Sequence, residues 1–212
     1  MEKPARKSFL AFGGVLVLAV AAFLLFGRGG TPGDTSPEAG FARDMATHHA
    51  QAVDMAFKIR DKRPAAEIDS LAFDIINTQA NQRGMFLGWL QQWELTQSTD
   101  QPAMAWMRGH GHGEATQEAA PGVMPGMASP QELTKLGQAQ GKDAEVLFLQ
   151  LMIRHHEGGV EMAGGLLELS TRAEVVNMAQ KIVSSQSGEI KLMTDLLEKR
   201  GARPYPSILT PR

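Results

Sequence analysis

The chain contains one helical segment twice, and this repeat is the feature that most constrains how it can fold. The first copy reads FARDMATHHAQAVDMA over Phe41–Ala56, and the second reads FLQLMIRHHEGGVEMA over Phe148–Ala163. A single offset of 107 residues aligns the two copies without a gap, and the same register still aligns Leu90 with Leu197. An internal duplication of this kind predicts two structural halves that are equivalent and pack on each other.

Four long segments carry apolar residues at three- and four-residue spacing, which is the period of amphipathic α-helices. These predicted helices span about residues 37–61, 64–96, 142–170 and 171–200, and a short helix runs from about residue 130 to near Gly141. They pair into two equivalent hairpins, so we predict an all-α fold: a four-helix bundle built from residues 41–96 and 130–203. The turn positions predict that His48 faces Gln79 and that His155 faces Gln186.

Each copy carries imidazoles and thioethers on the helix face that should be buried. In the first copy these residues are Met45, His48 and Met55, with His49 at the edge of the face. The equivalent residues of the second copy are Met152, His155, His156 and Met162. The seam of the last helix adds Gln186, Glu189 and Met193. The predicted interior therefore contains a repeated set of candidate metal ligands.

Two interpretations fit this set. Buried amides and carboxylates need hydrogen-bonding partners, and the His pairs are the nearest ones. Histidine, thioether and carboxylate together suit copper, and thioethers favour Cu(I) in particular. The alternative is that His48 and His155 are core residues bonded to Gln and Glu, with Met as packing material. The repetition of the whole pattern in both copies favours a copper site.

The third long helix is interrupted by four glycines beside its His pair. They are Gly158, Gly159, Gly164 and Gly165. Each is less favourable than Ala in a helix interior by about 0.5–1 kcal/mol. Their presence predicts that another element approaches this helix closely, or that a ligand needs room there.

The connection between the two hairpins, residues 97–129, is rich in Met and His. It contains Met104, Met107, His110, His112, Met124 and Met127. Two Met-x-x-Met units around a His-x-His unit predict a flexible, exposed set of soft metal ligands. The alternative is that these Met side chains dock on the bundle as a hydrophobic plug.

Residues 1–28 predict export. Basic residues precede an apolar run of 18 residues from Phe9 to Phe26. As a helix this run is about 27 Å long, close to the thickness of the hydrocarbon core of a bilayer. The run ends in Gly27-Arg28-Gly29-Gly30, which is not a good cleavage site, so we predict an uncleaved transmembrane helix, a flexible tether at 29–40, and a domain on the extracytoplasmic (periplasmic) side. A cleaved signal sequence is the alternative, and it exports the domain equally.

The composition argues against several classes of function. The formal charge of −2 and the lack of a basic patch argue against a nucleic acid partner. The absence of Cys excludes disulfides and thiolate metal sites. No nucleophile–base set or phosphate-binding loop stands out, so we predict a binding protein and not an enzyme. The enzymatic alternative is a ferritin-like di-iron oxidase, which takes about four inward carboxylates, whereas only Glu189 lies on a seam here.

The motifs MxxHHxxAxxMA, MPGM and LMIxHHEGxxxMA resemble those of the bacterial domain-of-unknown-function (DUF) family 305. The resemblance covers about residues 38–200. It implies a ferritin-like four-helix bundle, often extracytoplasmic, with some members that bind copper. The ligands it implies are Met45, His48, His49, Met55, Met152, His155, His156 and Met162, and Met124 and Met127 match the MPGM motif. Two departures stand out: Met45-Ala-Thr-His48 replaces Met-Ile-Pro-His, and Gln82 stands where the second half has Glu189.

We therefore predict a membrane-tethered, extracytoplasmic protein that binds copper, either to sequester it or to deliver it. A metal-free interaction or structural module is the alternative. The predicted partners are the metal ion and, through the N-terminal helix, the membrane. The sequence leaves a protein partner and a homo-oligomer open.

Overall fold

The computed structural model describes residues 30–108 and 123–209, and every regular element in these ranges is helical. The α-helices are α1 (Pro37–Arg60), α2 (Ala66–Gln92), α3 (Pro130–Gln138), α4 (Gly141–Leu169) and α5 (Ala173–Lys199). A 3-10 turn, Ala105–Met107, lies between α2 and α3. The all-α prediction is confirmed for this part of the chain.

The helix ends follow local sequence signals. The Ser36 side chain accepts a hydrogen bond from the backbone of Ala39 at the start of α1. At the start of α3, Ser129 and Glu132 form a reciprocal capping box, as the Ser-x-x-Glu pattern predicts. The largest error in the predicted bounds is at the end of α2, which was expected near residue 96. Glu94 takes a positive φ of 60°, and this left-handed residue follows the end of the helix at Gln92.

The long helices form two antiparallel hairpins, one from α1 and α2 and the other from α4 and α5. The hairpins meet along α1 and α4, and the short α3 lies against both of these helices. The five α-helices of the described ranges belong to one compact unit that begins at Gly33.

Two apolar clusters form the core. The Trp-containing cluster includes Phe41, Phe86, Trp93 and Trp106. The Leu-rich cluster includes Leu71, Leu136, Phe148 and Leu151. Each long helix contributes to both clusters, with a polar stretch near its middle. These stretches form what we call the polar layer, which consists of His48, His49, Gln79, Gln82, His155, His156, Gln186 and Glu189.

Some predictions lie outside the described residues. The proposed transmembrane run at 9–26 and the linker histidines His110 and His112 are among them. Of the helices that are described, none combines the length and the apolar character needed to cross a bilayer. The ferritin-like character of the bundle and its membrane helix remain predictions.

Candidate metal centre

The side chains of all four histidines in the polar layer are completely buried. His48, His49, His155 and His156 each have 0% of their surface exposed. The prediction that His49 lies at the edge of the buried face is wrong. Because α1 packs against both α2 and α4, its buried face is wider than the single stripe that the sequence indicates.

The second histidine of each pair bonds to the neighbouring helix of its own hairpin. His49 Nε2 lies 2.7 Å from Gln82 Oε1, and His156 Nε2 lies 2.6 Å from Glu189 Oε2. The two bonds are equivalent, because the offset of 107 residues relates both partners. The His pairs are thus the partners of Gln82 and Glu189. Gln79 and Gln186, which the turn positions place opposite His48 and His155, are also buried and make no side-chain hydrogen bond within the described part of the chain.

The first histidine of the first pair bonds to backbone from the linker. His48 Nε2 lies 3.1 Å from the carbonyl oxygen of Pro125. A carbonyl oxygen can only accept, so Nε2 of His48 carries the hydrogen and the lone pair is on Nδ1. The same reasoning applies to His49 and His156, whose partners are an amide oxygen and a carboxylate.

In their neutral form, three of the four imidazoles therefore have the lone pair on Nδ1. In the described structure, none of these three Nδ1 atoms has a hydrogen-bond partner. The fourth imidazole, His155, has no partner at either nitrogen. A buried polar atom without a partner is destabilising by about 1–3 kcal/mol. Several such nitrogens in one layer therefore suggest that the layer binds a ligand that uses them.

The two copies meet at the first histidine of each pair. The ring centroids of His48 and His155 are 3.7 Å apart, with an interplanar angle of 31°. Within each pair the rings are farther apart, at 6.5 Å for His48 and His49 and 6.4 Å for His155 and His156. The near-identical spacing within the pairs shows that the duplication is preserved in three dimensions, and the close contact between them lies where α1 meets α4.

Burial keeps the imidazoles of His48, His49 and His155 neutral. It lowers the pKa of His48 to about 3, with the charge of His49 as the next cause, and that of His49 to about 4. The pKa of His155 is also well below its ordinary value, mainly because of burial and then because of His48. At neutral pH these rings are unprotonated, which is the form that binds a metal ion.

The predicted thioether ligands lie on both sides of the layer and are fully buried. Met45 and Met162 belong to the Trp-containing cluster. Met55, Met152 and Met193 belong to the Leu-rich cluster. Met45 and Met152 each precede a His pair by about one helical turn.

The His and carboxylate groups alone do not form a ready cage. Within residues 30–108 and 123–209, no three His, Cys, Asp or Glu side chains are arranged to hold an ion by themselves. The overlapping rings of His48 and His155 explain part of this, because the lone pairs of an imidazole lie in the plane of its ring. A soft ion in this layer would therefore need thioether ligands as well, or a turn of one of these rings.

The linker methionines do not form the exposed set that the sequence suggested. Met107 and Met124 are only 7% and 9% exposed, and Met104 and Met127 are half-buried against the Trp-containing cluster. The 3-10 turn is anchored by Asp44, which accepts hydrogen bonds from the backbone of Met104 and from the Trp106 indole. The docked arrangement that we gave as the alternative describes these four residues.

The predicted close approach to the glycines of α4 is confirmed. A Cβ on Gly158 would overlap the carbonyl of Pro125, and one on Gly159 would overlap the Gln186 side chain. No motif in the sequence indicates that a backbone carbonyl occupies the space beside Gly158. The MPGM motif draws attention to its thioethers, whereas the group that contacts the layer is the main chain between them.

Comparisons with known proteins agree on the family and the fold. The profile of a family described as Domain of unknown function (DUF305) matches residues 38–197. A DUF305 protein from Streptomyces coelicolor that is presumed to be secreted is 47% identical, with a TM-score of 0.74 over 82% of this chain and 99% of that one. A DUF305 fragment from Deinococcus radiodurans is 34% identical, with a TM-score of 0.62 over 77% of this chain and 96% of the fragment.

A third similar structure has a bound metal. CopM in its Cu(II)-bound form is 30% identical, with a TM-score of 0.56 over 77% of this chain and 97% of that one. Structures of CopM in Cu(I)-bound, silver-bound and apo forms are similar to this chain as well. A comparison with curated proteins found no match.

Proposed function

The chain belongs to the DUF305 family, and from this premise we propose that it binds copper as a cargo ion in its polar layer. The observation that carries the proposal is the set of buried imidazoles whose Nδ1 lone pairs have no partner among the described residues. Nδ1 of His48, His49 and His156 is free for a metal because Nε2 of each ring is already bonded. A hydrogen bond at the far nitrogen is the usual support for a metal-binding histidine.

The surroundings of the layer favour copper over harder ions. Buried Met residues lie in both clusters that border the layer, and thioethers bind soft ions such as Cu(I) and silver. CopM, which resembles this chain over most of its length, has been obtained with Cu(I), Cu(II) and silver. We therefore propose Met45, Met55, Met152, Met162 and Met193 as ligands that complete the sphere around the imidazoles.

The two copies differ in one group that touches a histidine. Glu189 brings a negative charge to His156, whereas Gln82 brings only a hydrogen-bond acceptor to His49. A carboxylate favours a nearby cation and makes the imidazole a stronger ligand. We expect the second copy to hold copper more tightly than the first.

The reciprocal exchange of these two groups tests the site. We would measure Cu(I) affinity by competition with a chromophoric chelator. Glu189→Gln should weaken the tighter site by roughly 10–100-fold, and Gln82→Glu should strengthen the weaker one. Each variant changes one non-hydrogen atom, so the helices should be unaffected, and circular dichroism checks this.

The outcomes are distinct. A wild-type protein that binds no Cu(I) would refute the proposed function. If neither exchange changes the affinity for Cu(I), the His pairs are not part of the copper site. Loss of binding in His155→Ala with His156→Ala, greater than in His48→Ala with His49→Ala, would support the stronger second copy.

We further propose that the protein acts outside the cytoplasm and stays attached to the membrane through residues 9–26. The S. coelicolor relative that is presumed to be secreted supports export. Fractionation of cells and sequencing of the mature N-terminus test the attachment. An N-terminus that begins beyond Ala21 would contradict the anchor and leave export intact.

A role in binding, and not in catalysis, fits the carboxylate content of the layer. Glu189 is the only carboxylate that bonds to a layer histidine in the described ranges, whereas di-iron sites in helical bundles take about four. One specific observation favours a metal-free module as the second candidate. The Nε2–H groups of three histidines are already satisfied, so these residues could serve the core alone.

A further inference from the structure

A short segment of the linker crosses the junction of the two hairpins. Residues Met124–Ala128, which we call the strap, lie against both α1 and α4. On the α1 side, the Gln51 amide holds Ala128 by two bonds: its Nε2 donates to the Ala128 carbonyl at 2.9 Å, and its Oε1 accepts from the Ala128 amide at 2.7 Å. On the α4 side, Arg154 donates to the carbonyl of Met127 at 3.4 Å. The strap is thus fixed to both hairpins.

The middle of the strap lies directly over the polar layer. The Pro125 carbonyl accepts the hydrogen of His48 Nε2 and occupies the space that a side chain at Gly158 would fill. The next residue, Gly126, has a φ of +74° and lies so close to the Arg154 carbonyl that a Cβ there would overlap it. Both glycines are needed for the same reason: they let the strap backbone descend between the helices to reach His48.

The strap breaks the symmetry of the duplication. Position 51 in the first copy corresponds to position 158 in the second, and position 48 corresponds to 155. Gln51 hydrogen bonds to the strap, whereas the equivalent residue Gly158 has no side chain and so leaves space for the Pro125 carbonyl. His48 bonds to the strap, whereas His155 has no partner in the described residues, although the two rings are 3.7 Å apart. Of these two equivalent imidazoles, only His48 is fixed by a hydrogen bond within the described residues.

We propose that the strap is a positioning element that fixes His48 in the Nε2–H tautomer and closes the layer where α1 meets α4. The inference rests on the proposed function of the layer in copper binding. Pro125 acts through its carbonyl, and Gln51 and Gly158 act through the strap, so none of these three need touch the ion. His48 then presents Nδ1 in a fixed direction, whereas His155, which has no side-chain hydrogen bond in the described residues, would be the ring that adjusts to a bound ion. Because the strap closes this side of the layer, it should also slow the release of bound copper.

Two variants displace the strap in different ways. Gly158→Ala puts a methyl group into the space of the Pro125 carbonyl. Gln51→Ala removes both bonds to Ala128 and adds nothing, so it serves if the first variant folds poorly. Gly188→Ala is the matched control, because it also adds a methyl group to a long helix but into open space.

The first readout uses the metal-free, full-length protein. Nitrogen-15 NMR of the imidazole rings separates protonated from unprotonated nitrogens and so reports the tautomer of His48. We expect the Nε2–H form in the wild type and in Gly188→Ala, and a mixture of tautomers in Gly158→Ala and Gln51→Ala. A change in stability alone would not alter the tautomer.

The second readout is the rate at which Cu(I) leaves the loaded protein for a chelator in excess. We expect the two strap variants to release Cu(I) about 10-fold faster than the wild type and Gly188→Ala, the lower end of the effect of losing an outer-sphere partner. Unchanged tautomers, or release rates equal to those of the control, would overturn the strap proposal. If the wild type takes up no Cu(I), the proposed function fails, and the tautomers still decide whether the strap positions His48.

Discussion

A change of pH from 7 to 5 should destabilise the metal-free protein, because the buried imidazoles of His48, His49 and His155 stay neutral while those of the unfolded chain take up protons. Burial lowers the pKa of His48 to about 3 and that of His49 to about 4, from an unfolded value near 6.5. For such groups the unfolded state binds more protons throughout this range. Their stabilising contribution is therefore complete above about pH 6.5 and is lost as the pH falls toward the folded values.

The size of the effect follows from the two pKa values of each group. Between pH 7 and 5, an imidazole that titrates only in the unfolded state removes about 2 kcal/mol from the free energy of unfolding. His48 and His49 together remove about 4 kcal/mol, and His155 acts in the same direction. That is a large part of the roughly 5–15 kcal/mol typical of a domain, and it corresponds to a fall in Tm of about 8–16 °C.

Urea denaturation at pH 7, 6 and 5, followed by circular dichroism with a chelator present, measures this loss. The matched variant is His49→Gln, which can still donate to Gln82 but cannot titrate, so it should lose about 2 kcal/mol of the pH dependence. Asp44 cannot cause the loss, because burial raises the pKa of its carboxyl and its contribution grows as the pH falls. Equal stability at pH 7 and 5 would show that the histidines are not held neutral. An unchanged pH dependence of stability in His49→Gln would show that His49 does not contribute to the loss.

Two further predictions concern the supports of the bundle. Gly40→Ala should destabilise the protein by about 1–3 kcal/mol, because a Cβ there would overlap the Trp106 ring. Gly88→Ala is the control and should not destabilise the protein, because a Cβ at Gly88 faces open space. Thermal unfolding compares the two variants. Arg154→Met should raise the pKa of Glu132, which hydrogen bonds from Arg154 hold at about 2. This contribution is present above about pH 4.5 and is lost as the pH falls toward 2. Because both side chains are partly exposed, we expect a loss of about 1 kcal/mol or less near neutral pH, and carboxyl titration by NMR would show whether the pKa of Glu132 moves.

The sequence by itself determined the elements of this fold and most of the residues in its layer. Helix periodicity and capping are local properties, and they located the long helices to within a few residues. The duplication added the equivalence of the two His pairs. It also identified Gln82 and Glu189 as the point where the copies differ, and these are the groups that bond to His49 and His156.

The partners within the layer were decided by how the helices face each other. Equal distances from the turn predicted His48 opposite Gln79, but helical side chains lean toward the N-terminus of their own helix. In an antiparallel pair this moves the two side chains in opposite directions relative to the turn. A residue of α1 therefore meets one that lies farther from the turn on α2, and His49 meets Gln82.

The contact between the copies and the position of the strap could come only from the tertiary structure. The sequence holds no local signal for the distance between His48 and His155, because it depends on how two separate hairpins pack. The bond to His48 comes from the Pro125 carbonyl, a group that every residue possesses and that no motif distinguishes. The sequence thus predicts which side chains form the layer. The tertiary structure decides which first histidine has a hydrogen-bond partner, because the backbone carbonyl that bonds to His48 comes from the linker between the two hairpins.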